Sequence, residues 1–370
     1  MIGILLYLTT IGGVPHFFCV FVAFFAFCKK YYLFRSLPEK LWNLLIIYLL
    51  FILGAVLNNA VHAAITGSAE IPYVLLLPLI FVVAYALDER DIKWLIFLTT
   101  VEALIGLYEY MIGVNTVLPW VTSKEIGVSD FMYNNKVKGL SEGSSTYTLK
   151  LLAGLVLVNR WRIWYRSYQH HLINALLMIA IIMCFSRTVL VTAVFFQMLL
   201  YFRTVYKHFT ARGHIVRKLI YISVGILGIV CIVFVFSYFW DSIMFQLFRG
   251  REGVDLSGRE DIWQFYINFI RENLFWGNGS FKLLEPVEGN HAHNSYLQLV
   301  STNGLFLAFL FLFPLLFLLK KRDYIYILPF FIVSTAQYGL FWGFSYLDVV
   351  FALFLFNRCF KSVPCGLKGM

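Results

Sequence analysis

LWNLLIIYLLFILGAVLNNA, residues 41–60, runs for twenty positions without one Asp, Glu, Lys or Arg. As a helix it is about 30 Å long, the thickness of a bilayer's hydrocarbon core. Similar apolar runs bounded by charge recur at 14–28, 71–87, 92–112, 146–159, 171–184, 187–202, 218–240, 296–319, 324–340 and 344–357. Some are shorter and require tilt, local thinning or burial within a bundle. The alternation of membrane barrel strands is missing. Residues 1–12 add a short apolar stretch that is read equally as a span, a re-entrant piece or a surface helix. Composition agrees: 60% of the 370 residues are hydrophobic and 14% are charged, against about 25% charged in a typical globular chain. Such a chain cannot cover a water-facing surface. The reading is an all-α polytopic membrane protein, one integral membrane domain over 1–370 with about 11–12 transmembrane helices.

A net charge of +10 raises the question of nucleic acid, and the positions of the charges answer it. Segments 29–40, 88–93, 160–170, 203–218, 320–323 and the C-terminal tail hold 20 of the 30 Lys and Arg. Only five acids accompany them: Glu39, Asp88, Glu89, Asp91 and Asp323. Lys and Arg concentrate on cytoplasmic loops, so these segments and the C-terminus are placed in the cytoplasm. Anionic inner-leaflet lipid is an added partner, and no nucleic-acid partner is expected. Parity then requires 171–202 to be two helices meeting near Phe185-Ser186-Arg187 at the external face. Segments 113–145 and 241–295 lie outside as a smaller and a large external loop.

The large loop is internally organised. In GREDIWQFYINFIRENLF, residues 258–275, Ile262, Phe265, Tyr266, Phe269 and Ile270 fall at helical spacing. This is an amphipathic helix near the interface, closed by Gly277-Asn278-Gly279. None of the six cysteines lies in either external loop, so no disulfide is expected.

The densest polar cluster follows, GNHAHNSY at 289–296. A zinc pair at His291 and His293 lacks a convincing third ligand, and no metal or cofactor is expected. His293 has two readings. One is a general base taking a proton from an attacking hydroxyl; the other is an interfacial helix cap assisted by Asn294 and Ser295. Arg187 follows an apolar run, and a guanidinium at membrane depth either serves a pathway or snorkels to the head groups. Arg259 opens the amphipathic helix, with Arg249 and Arg251 just upstream. Its planar fork suits phosphate oxygens; the alternative is pairing with Glu260 or Asp261. Arginines flanking a histidine at the outer face point to an anionic, lipid-linked substrate.

Secondary candidates are weaker in kind. Lys136, Lys138 and Lys150 are candidate phosphate contacts, and Asn294 is a candidate substrate contact. Tyr296 reads as a substrate contact or as part of an interfacial aromatic belt with Trp120, Trp240 and Trp276. Trp263 or Tyr266 is placed to stack on a sugar ring. Glu102 and Glu109, seven apart, share one helical face as a proton path or as structural partners of a buried Arg or Tyr. Asp348 carries the same ambiguity.

Taken in order, Ser-Arg-Thr at 186–188, Ser257-Gly258-Arg259, Trp276-Gly277-Asn278-Gly279 and HAHNSYLQLVSTNGL at 291–305 resemble the O-antigen ligase/polymerase family of bacterial envelopes, the Wzy/WaaL group. The motifs cover 186–305, and the many-spanning architecture extends the likeness to most of the chain. The resemblance implies a GT-C-like glycosyltransferase of the bacterial inner membrane with its active site facing the periplasm. The implied donor is a glycan on undecaprenyl pyrophosphate, used without metal and with inversion at the anomeric carbon. It implies His293 as the base acting on the acceptor hydroxyl. It implies Arg187 and Arg259 as the groups that bind the pyrophosphate and stabilise it as it leaves. His291 orients the substrate or shapes the turn. Within the family an O-antigen polymerase is expected, with another lipid-linked repeat unit as acceptor and a chain-length regulator as partner. The alternatives are a ligase acting on lipid A–core and a capsule or exopolysaccharide polymerase. A transporter or flippase of a lipid-linked anion also wants arginines, but the inverted repeats common in transporters are not obvious here.

Overall fold

The structure, a computed structural model, describes residues 1–35, 39–67, 73–126, 136–161, 167–184, 186–210, part of 219–240, 259–280, 291–318, 323–337, 339–341 and 343–356. These residues are helical apart from turns, loops and one isolated bridge between Val114 and Glu125. The helices are α1 (Ile2–Leu8), α2 (Phe18–Lys29), α3 (Tyr31–Phe34), α4 (Glu39–Thr66), α5 (Leu77–Ala86), α6 (Glu89–Ile112), α7 (Ser144–Trp161), α8 (Ser167–Met183), α9 (Arg187–Thr210), α10 (Arg259–Glu272), α11 (Ser295–Leu318), α12 (Tyr324–Ser334) and α13 (Tyr346–Phe356). Four are long and apolar enough to cross a membrane, over Trp42–Thr66, Glu89–Ile112, Arg187–Tyr206 and Ser295–Phe313. The shorter apolar helices α2, α5, α8, α12 and α13 join them in a multi-pass bundle. Each apolar run read from the sequence meets a helix, except 218–240, which is only partly described.

The core is built around α7. Every side chain from Tyr147 to Val158 is buried, because α6, α8, α9, α12 and α13 all pack against this helix. Apolar residues of the outer helices instead face outward: Phe21 and Phe24 on α2, and Leu49, Leu53 and Leu57 on α4, are exposed. That is the arrangement lipid requires, since hydrocarbon solvates side chains but leaves backbone polar groups to be satisfied within the helix.

Two features anticipated from charge are present. Helix α8 ends at Met183 and α9 starts at Arg187, so the 171–202 run is broken where parity demanded. At the far end of α9, the Arg203 guanidinium lies 5.7 Å from the centre of the Tyr326 ring. Arg160, with its Nε 2.6 Å from Asp323 Oδ1, stacks over the same ring. Residues 187 and 203 are sixteen positions apart, about 24 Å along a helix. The Ser186-Arg187 break thus sits at the end of the bundle opposite the Arg160, Arg203 and Asp323 cluster.

The amphipathic stretch forms α10, and its apolar side turns onto protein. Tyr266 and Ala292 are fully buried together, ringed by Ile262, Phe265, Phe269 and Leu297. Helix α10 accordingly docks on the start of α11.

Helix α11 is itself broken at Gly304, whose φ is 76° and ψ 166°. The residues after α10 fill the break. Asn278 and Ser280 donate backbone N–H groups to the Ser301 and Thr302 carbonyls, at 2.7 Å for Asn278 to Ser301 and 2.9 Å for Ser280 to Thr302. Leu305 N–H donates to the Leu274 carbonyl at 2.8 Å. Groups freed by the kink thereby find partners, as a break in a membrane helix requires. Two asparagines near the end of α4 clamp this loop from the other side: Asn58 Nδ2 donates to the Trp276 carbonyl at 2.8 Å and Asn59 Nδ2 to the Gly279 carbonyl at 3.2 Å.

Candidate active site

Three chain segments meet at the end of the bundle marked by Ser186. Arg187 is the first residue of α9, Arg259 is the first of α10, and His293 lies in the turn before α11. Their charges act on one another. Burial first, and then the Arg187 charge, lower the Arg259 guanidinium from its ordinary value. Burial first, and then the Arg259 charge, hold the His293 imidazole below its ordinary value. Residues 187, 259 and 293, far apart in sequence, thus form one electrostatic unit with a positive field and a neutral imidazole.

The histidine is held by its neighbours. Ala292 is pinned on both sides: its N–H donates to Gln298 Oε1 at 3.0 Å, and its carbonyl accepts from Trp263 Nε1 at 2.6 Å. The chain then reverses at His293, whose φ is 48°. For a non-glycine residue this left-handed conformation is costly and persists only when the surroundings enforce it. Asn294 Oδ1 accepts from the N–H groups of Tyr296 at 3.0 Å and Leu297 at 3.1 Å, so Asn294 is the N-cap of α11. Of the two readings of His293, the capping one falls to its neighbour. The imidazole is half-buried, and its ring centre lies 6.4 Å from that of His291.

Arg259 is fixed by donation from Nη1 to the Ala336 carbonyl. Its adjacent acids do not pair with it; Glu260 and Asp261 are exposed, and no described carboxylate lies within ion-pair distance of the guanidinium. Two guanidiniums kept near each other in a half-buried setting repel, and a bound anion reverses that cost. Among the described residues no three His, Cys, Asp or Glu side chains converge as a metal-ligand set.

Residues 172–312 match the Wzy_C family, described as O-antigen ligase. No curated protein matches the chain. The resemblance to the O-antigen ligase/polymerase family therefore has a family-level match behind it. The Wzy_C segment takes in α8 from Leu172, α9, α10 and α11 as far as Leu312, and with them Arg187, Arg259 and His293.

The other expected contacts are distributed differently. Arg249 and Arg251 lie outside the described residues. The Trp263 indole N–H is committed to Ala292, and the Tyr296 hydroxyl donates to the Phe331 carbonyl at 3.2 Å. Both residues thus brace the segment that carries His291 and His293. Lys136 is half-buried and acts electrostatically on Cys184 at the end of α8, three residues from Arg187. Lys138 holds the segment between α6 and α7 through its backbone, donating to the Asn115 carbonyl at 2.9 Å.

Lys150 requires a correction. Expected to attract phosphate, it is fully buried and paired with Glu102 at 2.6 Å, because its position on α7 faces the core. Glu102 also accepts from Tyr7, from Leu140 N–H at 3.0 Å and from Ser141 Oγ at 3.2 Å. Glu109 accepts from the N–H groups of Val117 and Gly139, each at 2.8 Å. Both carboxylates therefore have structural partners, tying the segment between α6 and α7 to α6. Asp348 likewise accepts from Phe341 N–H at 2.9 Å and Ser345 Oγ at 2.6 Å, closing the turn into α13.

Sequence reading missed the segment between α12 and α13. Ala336 receives Arg259, and Gln337 reaches both Ser186 and Ser295. The only sequence signal is a polar Thr335-Ala336-Gln337 interruption within an apolar run.

Proposed function

We propose that the protein transfers a glycan from undecaprenyl pyrophosphate to an acceptor hydroxyl at the periplasmic face of the bacterial inner membrane, through a GT-C-like architecture. The supporting observation is the electrostatic unit of Arg187, Arg259 and His293, about 24 Å along α9 from the basic end. The positive-inside rule puts that basic end in the cytoplasm and the unit outside.

In this reading neutral His293 accepts the proton of the acceptor hydroxyl, and the oxygen attacks the anomeric carbon. The carbon–oxygen bond to pyrophosphate breaks, and its electron pair leaves with the pyrophosphate. Arg187 and Arg259 gain most as that charge develops, which is what separates catalysis from simple binding. Approach from the face opposite the leaving group inverts the anomeric centre. The long broken helix α11 and the loop 276–280 give the reaction a backbone scaffold within the bundle.

The description of the matched family supports a ligase with lipid A–core as acceptor ahead of the polymerase expected from sequence. Electrophoresis of surface glycans from a deletion strain, complemented with wild type or His293→Ala, tests the reading. A ligase leaves polymerised glycan on undecaprenyl pyrophosphate; a polymerase leaves core lipid bearing a single repeat unit. Full complementation by His293→Ala overturns the assigned base. Lipid-linked repeats that never reach the outer face would mean translocation instead.

A further inference from the structure

Gln337 lies between the arginine break and the histidine segment. Its Nε2 donates to Ser186 Oγ at 3.0 Å, next to Arg187. Its backbone carbonyl accepts from Ser295 Oγ at 3.3 Å, and the same hydroxyl accepts from Gly339 N–H and Leu340 N–H, each at 3.2 Å. Ser295 is two residues from His293. The preceding carbonyl, Ala336, holds Arg259. One short segment thereby contacts Arg259 itself, the residue before Arg187 and the residue two after His293, although none of these is its neighbour in sequence.

The side chain is also costly where it stands. Gln337 is only 9% exposed, and its Oε1 finds no hydrogen-bond donor among the described residues. Turning the amide over leaves the same outcome, with one end bonded to Ser186 and the other open. A buried amide with one open end is less favourable than an apolar side chain of equal size. Packing alone therefore does not account for glutamine here, whereas the Ser186 bond does.

Resting on the proposed transfer reaction, we propose that Gln337 is a positioning residue that sets the spacing between Arg187 and His293. It touches neither substrate nor reacting atoms. Bonded to Ser186 at the head of α9 and to Ser295 at the head of α11, it couples the anion-binding end of the site to the base. Displacement by about 1 Å costs a transfer reaction up to about a hundredfold in rate.

The test uses the full-length protein in proteoliposomes. The donor is lipid-pyrophosphate glycan extracted from a strain lacking the enzyme, and the acceptor is whichever lipid the deletion phenotype identifies. Gln337→Met keeps the volume and removes the amide. Ser186→Ala removes only the partner hydroxyl, so it retains a test if the first variant folds poorly. Each is expected to lower kcat about tenfold per folded molecule, with donor KM and melting temperature near wild type. The double variant is expected to lose no more than either single one, because both remove the same link. Wild-type kcat in both single variants, losses that multiply, or losses that track the folded fraction would each overturn the inference. Arg187→Ala is measured alongside. If it transfers glycan at the wild-type rate, the reaction assignment falls; if it is inactive while Gln337→Met and Ser186→Ala are normal, only the positioning role falls.

Discussion

Lys150 Nζ lies 2.6 Å from Glu102 Oε1, with both side chains sealed inside the bundle between α6 and α7. Thr10 Oγ1 takes a further ammonium hydrogen bond at 3.2 Å, and the Tyr7 ring sits beneath the charge at 5.0 Å. The pair is a structural rivet, and its failure mode is specific. Lys150→Met leaves the buried Glu102 carboxylate with its Tyr7, Leu140 and Ser141 hydrogen bonds but no counter-charge. This is expected to destabilise the protein by about 3–5 kcal/mol, whereas the double replacement Glu102→Gln with Lys150→Met recovers much of the loss. Unfolding in detergent, followed by intrinsic tryptophan fluorescence, measures both. A single variant as stable as wild type would refute the burial of this pair.

Gly304 lets the chain after α10 enter the break in α11. A Cβ there would stand 2.0 Å from the Phe275 carbonyl oxygen, on a residue already at φ 76°. Neither contact nor conformation tolerates a side chain. Gly304→Ala is expected to lose several kcal/mol of stability and to release the 276–280 loop. Limited proteolysis reports the release as new cleavage near Trp276. An unchanged digestion pattern together with an unchanged melting temperature would contradict it.

These two cases show what a linear reading can reach. Apolar runs and the 171–202 break were legible because hydrocarbon thickness and charge sidedness act on local stretches of sequence. Arg187, Arg259 and His293 stood out because charge is scarce in such a chain. Lys150 was misjudged because its partner lies 48 positions away on α6, and only helix packing reveals which face of α7 it occupies. Gln337 was invisible for a similar reason: its contacts fall 151 and 42 positions away in sequence. The capping role moved from His293 to Asn294 because only backbone direction distinguishes adjacent polar residues.

Arg187→Lys preserves one positive charge but removes the planar fork. If the site binds pyrophosphate through paired guanidiniums, as proposed, the substitution is not conservative. Transfer is expected to fall on the order of a hundredfold, with the protein still folded and inserted. Initial rates with purified lipid-linked donor provide the measurement. Near-wild-type turnover would mean that Arg187 only anchors α9 at the head groups.

The acid limb of the rate profile provides a test of the electrostatic unit itself. Burial is the larger cause of the lowered His293 value and Arg259 the second. A base that must be neutral is therefore available to lower pH than an ordinary histidine, whose value is about 6.5, and kcat/KM falls only on further acidification. Replacing Arg259 with Gln removes a positive neighbour, stabilises the imidazolium and moves the acid limb of the residual activity to higher pH. In the proposed reaction, bound pyrophosphate would act in the same direction by offsetting both arginines. The limb in kcat, which reports the donor complex, is then expected at higher pH than the limb in kcat/KM. A shift to lower pH in Arg259→Gln, or coincident limbs in the wild type, would separate His293 from the arginines.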